Sequence, residues 1–90
     1  MKEDLKKLIG KEIVIDTDSS WGYVGLLSRV LTDTIELENA DIHHYGESVT
    51  TREKYLLESR KTGVNANRKK VYINSKFIVS FSLLDDILTF

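Results

Sequence analysis

Cysteine is absent from the 90 residues, which removes disulfides, thiolate zinc sites and cysteine nucleophiles together. Such a chain suits a reducing compartment, and a cytoplasmic location is the expectation. The first ten residues lack the apolar core of about 7–15 residues that a signal peptide needs, so neither export nor a membrane partner is expected. Net charge is almost missing too, since thirteen Lys and Arg against fourteen Asp and Glu leave −1. Polyanion binding through overall basicity is thereby excluded, and any such binding has to be local. The sequence also has no P-loop, no dinucleotide-binding fingerprint, no internal repeat and no low-complexity segment.

What is present is a balanced composition, 41% hydrophobic and 30% charged, which suits a folded protein rather than a disordered one. The length gives one domain over residues 1–90. A chain of this size buries only about 60–65% of the surface its unfolded form exposes, and association between copies is a natural remedy for the thin margin.

Leu5, Leu8 and Ile9 make one apolar stripe on a short N-terminal helix that Gly10 can end. Ile13-Val14-Ile15 reads as a strand, and Asp16 to Ser20 as a polar loop. Trp21 to Leu31 is a long second strand in which Gly22 and Gly25 permit a sharp bend or a close backbone approach. After a Thr32-Asp33 turn, Ile35 and Leu37 should face a core while Glu36 and Glu38 face water, in a strand running to Ile42. Thr50-Thr51-Arg52-Glu53 has the form of a capping box, so a helix should start there and stop at Gly63, with residues 64–70 as loop. Val71-Tyr72-Ile73 resumes strand, Asn74-Ser75 is a turn, and Phe77 to Leu84 completes a hairpin. The expected fold is mostly β: a small, five-stranded, strongly bent antiparallel barrel with an N-terminal helix and an inserted helix, its closure dealing with the exposed edges.

The chain resembles the Sm and Sm-like family of small RNA-associated proteins. The resemblance lies in Leu8 to Ile15, in Trp21-Gly22-Tyr23-Val24-Gly25-Leu26-Leu27, in Ile35 to Asp41, and in Val71 to Phe81, with an insertion over about residues 43–70. In this comparison Gly25 is similar to the family's bending glycine and Asn39-Ala40-Asp41 to the end of its third strand. The resemblance implies a barrel of the Sm-like or SH3-like kind and a homo-oligomer in which the fourth strand of one copy pairs with the fifth of the next. Members that bind uridine-rich RNA in the ring pore use an Asp, an aromatic or apolar residue and an Asn between strands two and three, and an Arg-Gly after strand four. Here Val30 to Ile35 is about a residue short, and Asn74-Ser75 replaces Arg-Gly, which leaves Lys76 as the nearby cation and removes the planar charge that an Arg supplies.

Charge is unevenly spread. Residues 12–47 hold eight acids and Arg29 as their one base, whereas residues 48–70 hold seven bases and two acids. The nucleic-acid candidates are therefore Arg52, Lys54, Arg60, Lys61, Lys69 and Lys70, with Asn74, Ser75 and Lys76 at the family's second loop and Tyr55 or Tyr72 available to stack on a base. The same bases could instead only solvate a helix or pair with acidic faces. Trp21 and Tyr23, on one strand face, suit a stacking platform or a plug at a barrel end or subunit contact. Asp41 and His43 share a strand face, which is too few ligands for a metal; no cofactor and no metal are expected. Asp85-Asp86 suit the cap of a terminal turn. With adjacent histidines and no nucleophile elbow, the chain reads as a non-enzyme. The expected function is a ring-forming, RNA-associated binding module, and the competing one a structural or protein-interaction barrel that has lost RNA recognition.

Overall fold

The computed structural model describes residues 1–46 and 51–89. A short helix α1 (Lys2–Lys6) is followed by strands β1 (Glu12–Thr17), β2 (Trp21–Val30) and β3 (Thr34–His44). Helix α2 (Arg52–Thr62), strand β4 (Arg68–Asn74), a 3₁₀ turn over Ser75–Phe77, strand β5 (Ile78–Leu83) and a second 3₁₀ turn over Leu84–Asp86 complete the fold. The strands form one antiparallel sheet in the order β4-β3-β2-β1-β5.

The sheet is bent enough to bury both of its faces. Leu5, Ile13, Ile15, Leu27, Ile35, Leu37, Ala40 and Ile73 make the inner core. Val14 and Val24, the residues of opposite parity on β1 and β2, are buried against Tyr55 and Leu56 of α2 and against Leu84. The unbroken apolar runs of β1 and β2 are thus strands covered on both sides. Alternation is reset within β2 by irregularities between Val24 and Leu26 and between Leu27 and Arg29, which let Leu27 and Val30 serve the same core. Gly25 sits at the first of these. A Cβ built there would lie 2.9 Å from the Ala40 Cβ and 3.0 Å from its Cα, so the close approach of β2 to β3 requires glycine.

Several local expectations change. Ile9 is exposed, because α1 ends at Lys6 and the chain turns over residues 7–10 before the stripe reaches it. Thr50 lies outside the described residues, and the cap of α2 is Thr51, whose Oγ1 accepts from the Lys54 N–H at 3.2 Å. Gly63 does end α2, with φ of +91°. β3 runs past the expected Ile42 to His44, and it passes through Asn39 in the left-handed region. β4 begins at Arg68, so Arg68 to Lys70 are strand and not loop. β4 and β5 are not a hairpin: they are the two outer strands of the sheet, and the 3₁₀ turn between them redirects the chain from one edge to the other. The edges are therefore left open instead of being closed on each other.

Candidate nucleic-acid interface

The inserted helix is tied down by its charges. Arg52 places a guanidinium nitrogen 3.8 Å from Asp16 Oδ1 and lies over the Tyr45 ring, 4.5 Å from its centre. Arg60 lies 3.8 Å from Asp85 Oδ1, and its Nε donates to the Asp85 carbonyl at 3.3 Å. The Tyr55 hydroxyl donates to Asp41 Oδ2 at 2.6 Å, and its ring stacks on His43 with centres 3.9 Å apart. Burial, reinforced by the Asp41 carboxylate, pushes the Tyr55 hydroxyl well above the ordinary tyrosine range. The Asn67 side chain donates to Asp41 Oδ1 and to the Ile42 carbonyl, each at 3.0 Å, and accepts from the Ile42 N–H at 3.0 Å. Tyr55 is accordingly not free to stack on a base. Asp41 and His43 are occupied with this docking, and no group of three or more His, Asp or Glu side chains gathers among the described residues to hold a metal.

Glu36, expected in water, is 3% exposed. Arg29 Nε and Nη2 donate to its Oε2 at 3.0 and 2.8 Å, the Ser28 hydroxyl donates to its Oε1 at 2.8 Å, and Lys70 Nζ lies 3.9 Å from Oε1. The Arg29 hydrogen bonds, followed by that from Ser28, hold its carboxyl at about 2, far below the usual 4.5. The strand does alternate as expected, but a second layer of side chains covers the outward face.

Among the basic candidates, then, Arg52, Arg60 and Lys70 have internal carboxylate partners, while Lys54, Lys61 and Lys69 form no ion pair among the described residues. Asn74, Ser75 and Lys76 lie elsewhere. The Ser75 N–H donates to the Asp33 carbonyl at 2.9 Å, which fastens the turn after β4 to the turn between β2 and β3. Asn74 Oδ1 accepts from the Lys76 N–H at 3.2 Å, fixing the start of the 3₁₀ turn. Met1, Thr32, Asp33 and residues 74–76 border one cleft there, and Tyr23, Tyr72, Asn74 and Phe77 border a neighbouring one of about 390 Å³. Phe77 and Tyr72 are 45% and 52% exposed, and Lys76 Nζ stands 5.2 Å from the Phe77 ring centre.

These two groups do not form one surface. Asn74 pairs with Thr34 at the start of β3, whereas α2 is bonded to Asp41 near its end. From Thr34 to Asp41 the strand covers roughly 23 Å at about 3.3 Å per residue. Lys69 and Lys70 fall between the two ends on β4. Phe77 is the exposed aromatic that sequence reasoning missed, because its position fits the alternation of a hairpin strand. Trp21 meets His44 edge to face at 4.6 Å while Tyr23 packs on the inner core, so the two rings have different surroundings.

These features define a class, the small, strongly bent, five-stranded β-barrel with open edges. A Pyrococcus abyssii Sm protein, solved in complex with a uridine heptamer, matches this structure with a TM-score of 0.62 over 90% of this chain and 93% of that one, at 13% identity. The protein has an Sm-like fold. No protein-family model matches the sequence, and no curated relative matches it.

Proposed function

We propose that this protein is a homo-oligomeric, ring-forming Sm-like module that binds single-stranded RNA and catalyses no reaction. The RNA is held at the mouth formed by the Thr32-Asp33 and Asn74-Ser75-Lys76 turns. The observation that carries the reading is the convergence of these two turns, through the Ser75–Asp33 hydrogen bond, at one end of a fold shared with an RNA-bound Sm protein. Lys76 supplies a cation for phosphate, and the half-exposed Phe77 and Tyr72 supply ring faces for bases. Lys54, Lys61 and Lys69 widen the attractive field, whereas Arg52 and Arg60 chiefly dock α2. Ring formation draws support from the two edges, β4 and β5, which among the described residues pair with no strand beyond β3 and β1 respectively.

Fluorescence anisotropy with labelled oligouridine and oligoadenine tests this. Lys76→Glu should weaken binding at least tenfold and reduce the slope of log affinity against log salt by about 0.7 for each phosphate no longer neutralised. Lys54→Glu with Lys61→Glu should weaken it less. The reverse ranking would relocate the site to α2. The protein-interaction reading gains from Asn74-Ser75, which cannot offer a planar cation, and an assembled protein that binds neither RNA at low salt would establish it over the first.

A further inference from the structure

We infer that the aromatic cleft beside the mouth is a base pocket selective for guanine, in which the Asp18 carboxylate reads the base edge. The inference rests on the RNA reading above and adds which base this cleft selects. Besides the rings of Tyr23, Tyr72 and Phe77, its border includes Thr17, Asp18 and Ser19, where β1 turns into β2. The Asp18 N–H donates to the Phe77 carbonyl at 3.1 Å, which holds the acid beside one of the exposed rings. At about 390 Å³ the cleft falls at the lower end of the roughly 300–1,000 Å³ of ligand pockets, and rings with a few polar groups are the usual make-up of such sites.

Most of the polar groups on this border are spent. Thr17 Oγ1 donates to the Trp21 carbonyl at 2.8 Å, Ser19 Oγ accepts from the Trp21 N–H at 3.1 Å, and the two hydroxyl oxygens lie 2.7 Å apart. Asn74 Oδ1 accepts from the Lys76 N–H, which leaves the side-chain amide as a donor. The Asp18 carboxylate forms neither a hydrogen bond nor an ion pair among the described residues.

A free carboxylate in a site for a polyanion repels phosphate, so what it can offer RNA is acceptance of hydrogen bonds from a base edge. Of the four RNA bases, guanine alone presents two adjacent donors, N1–H and N2–H, which match the two oxygens of a carboxylate. Uracil sets its N3–H between two carbonyl oxygens, while adenine and cytosine each set a donor beside a ring acceptor. Each of these brings a lone pair against the charge. Guanine O6, next to N1–H, suits the remaining donor of Asn74. Stacking on Tyr72 or Phe77 accepts any base, and the carboxylate supplies the choice.

Fluorescence anisotropy with a uridine heptamer, and with the same heptamer carrying guanosine, adenosine or inosine at its centre, tests this. The guanosine heptamer should bind at least about fivefold tighter than the uridine and adenosine ones. Inosine keeps N1–H and O6 but lacks the N2 amine, and should forfeit most of that gain. Asp18→Asn should abolish the guanosine preference without weakening the uridine heptamer, whose retained affinity shows that the variant folds. Phe77→Ala should weaken all four heptamers and keep their ranking, because stacking does not depend on the base. Wild-type protein that binds the heptamers without preferring guanosine overturns the guanine pocket alone, as does a preference that inosine keeps in full or that survives Asp18→Asn. Protein that binds no heptamer at low salt overturns the RNA reading; if it then binds guanosine monophosphate and not uridine monophosphate, the cleft serves a free guanine nucleotide, and if it binds neither, the pocket falls as well.

Discussion

Substituting Gly25 by alanine probes the bend on which the whole fold depends. The added methyl would sit 2.9 Å from the Ala40 Cβ, 3.0 Å from its Cα and 3.2 Å from the Glu38 carbonyl oxygen. Ordinary packing distances would need β2 to retreat from β3 by roughly half an ångström, and overpacking of this kind destabilises by about 1–3 kcal/mol. In a domain of this length each kcal/mol lowers the melting temperature by about 4–8 °C. Thermal unfolding followed by far-ultraviolet circular dichroism, at one fixed protein concentration because association would shift the midpoint, should therefore show a fall of several degrees. Ala40→Gly removes the nearest of the three obstacles, and together with Gly25→Ala it amounts to moving the methyl to the opposite strand. Alone it should cost about 1 kcal/mol from backbone freedom and reduced burial. Combined with Gly25→Ala it should cost less than the two effects added, with a coupling of about 0.5 kcal/mol or more, the rescue being partial because the Ala40 Cα and Glu38 oxygen remain. A Gly25→Ala protein that melts with wild type, or a double variant that is strictly additive, would refute the steric account.

Thr51→Ala should lower stability by about 1 kcal/mol by removing the cap, measured by urea unfolding, while Thr50→Ala should leave that cap intact. Tyr55→Phe removes the hydroxyl that donates to the Asp41 carboxylate, and the absence of a hydrogen bond to a charged group should cost about 1.5–3 kcal/mol in the same assay. Because the Glu36 carboxyl is held at about 2 in the folded chain against 4.5 ordinarily, its stabilisation is present in full above pH 4.5 and is lost as pH falls through 2. Wild type should therefore lose more stability than Glu36→Gln across that window, and parallel pH profiles would contradict the role assigned to the Arg29 and Ser28 hydrogen bonds.

Much of the sheet is legible in the sequence because burial leaves a plain signature in β1, β2 and the first half of β3. Where sequence and structure part, the governing interaction lies far along the chain. Arg68 to Lys70 read as loop because the first half of an edge strand faces water and carries no apolar alternation. Glu36 reads as a solvent residue because nothing local announces that Arg29 and Lys70, on the flanking strands, will cover it. The bases of α2 read as one patch, yet Arg52 and Arg60 turn toward Asp16 and Asp85, residues close in space only once the helix has docked. The hairpin expected of β4 and β5 fails for a topological reason, since a tight turn between two strands normally joins neighbours and here a 3₁₀ turn sends the chain to the opposite edge. The turn residues Asn74 to Lys76 are evident from their types alone, but their attachment to Asp33 and the exposed Phe77 beside them depend on the curl of the sheet.

Light scattering coupled to gel filtration, with absorbance at 260 and 280 nm on the same run, addresses the central claim most directly. The account predicts a discrete particle at a whole-number multiple of 10.3 kDa that arrives with nucleic acid and sheds it in high salt. A lone 10.3 kDa species, free of nucleic acid at every concentration loaded, would contradict it.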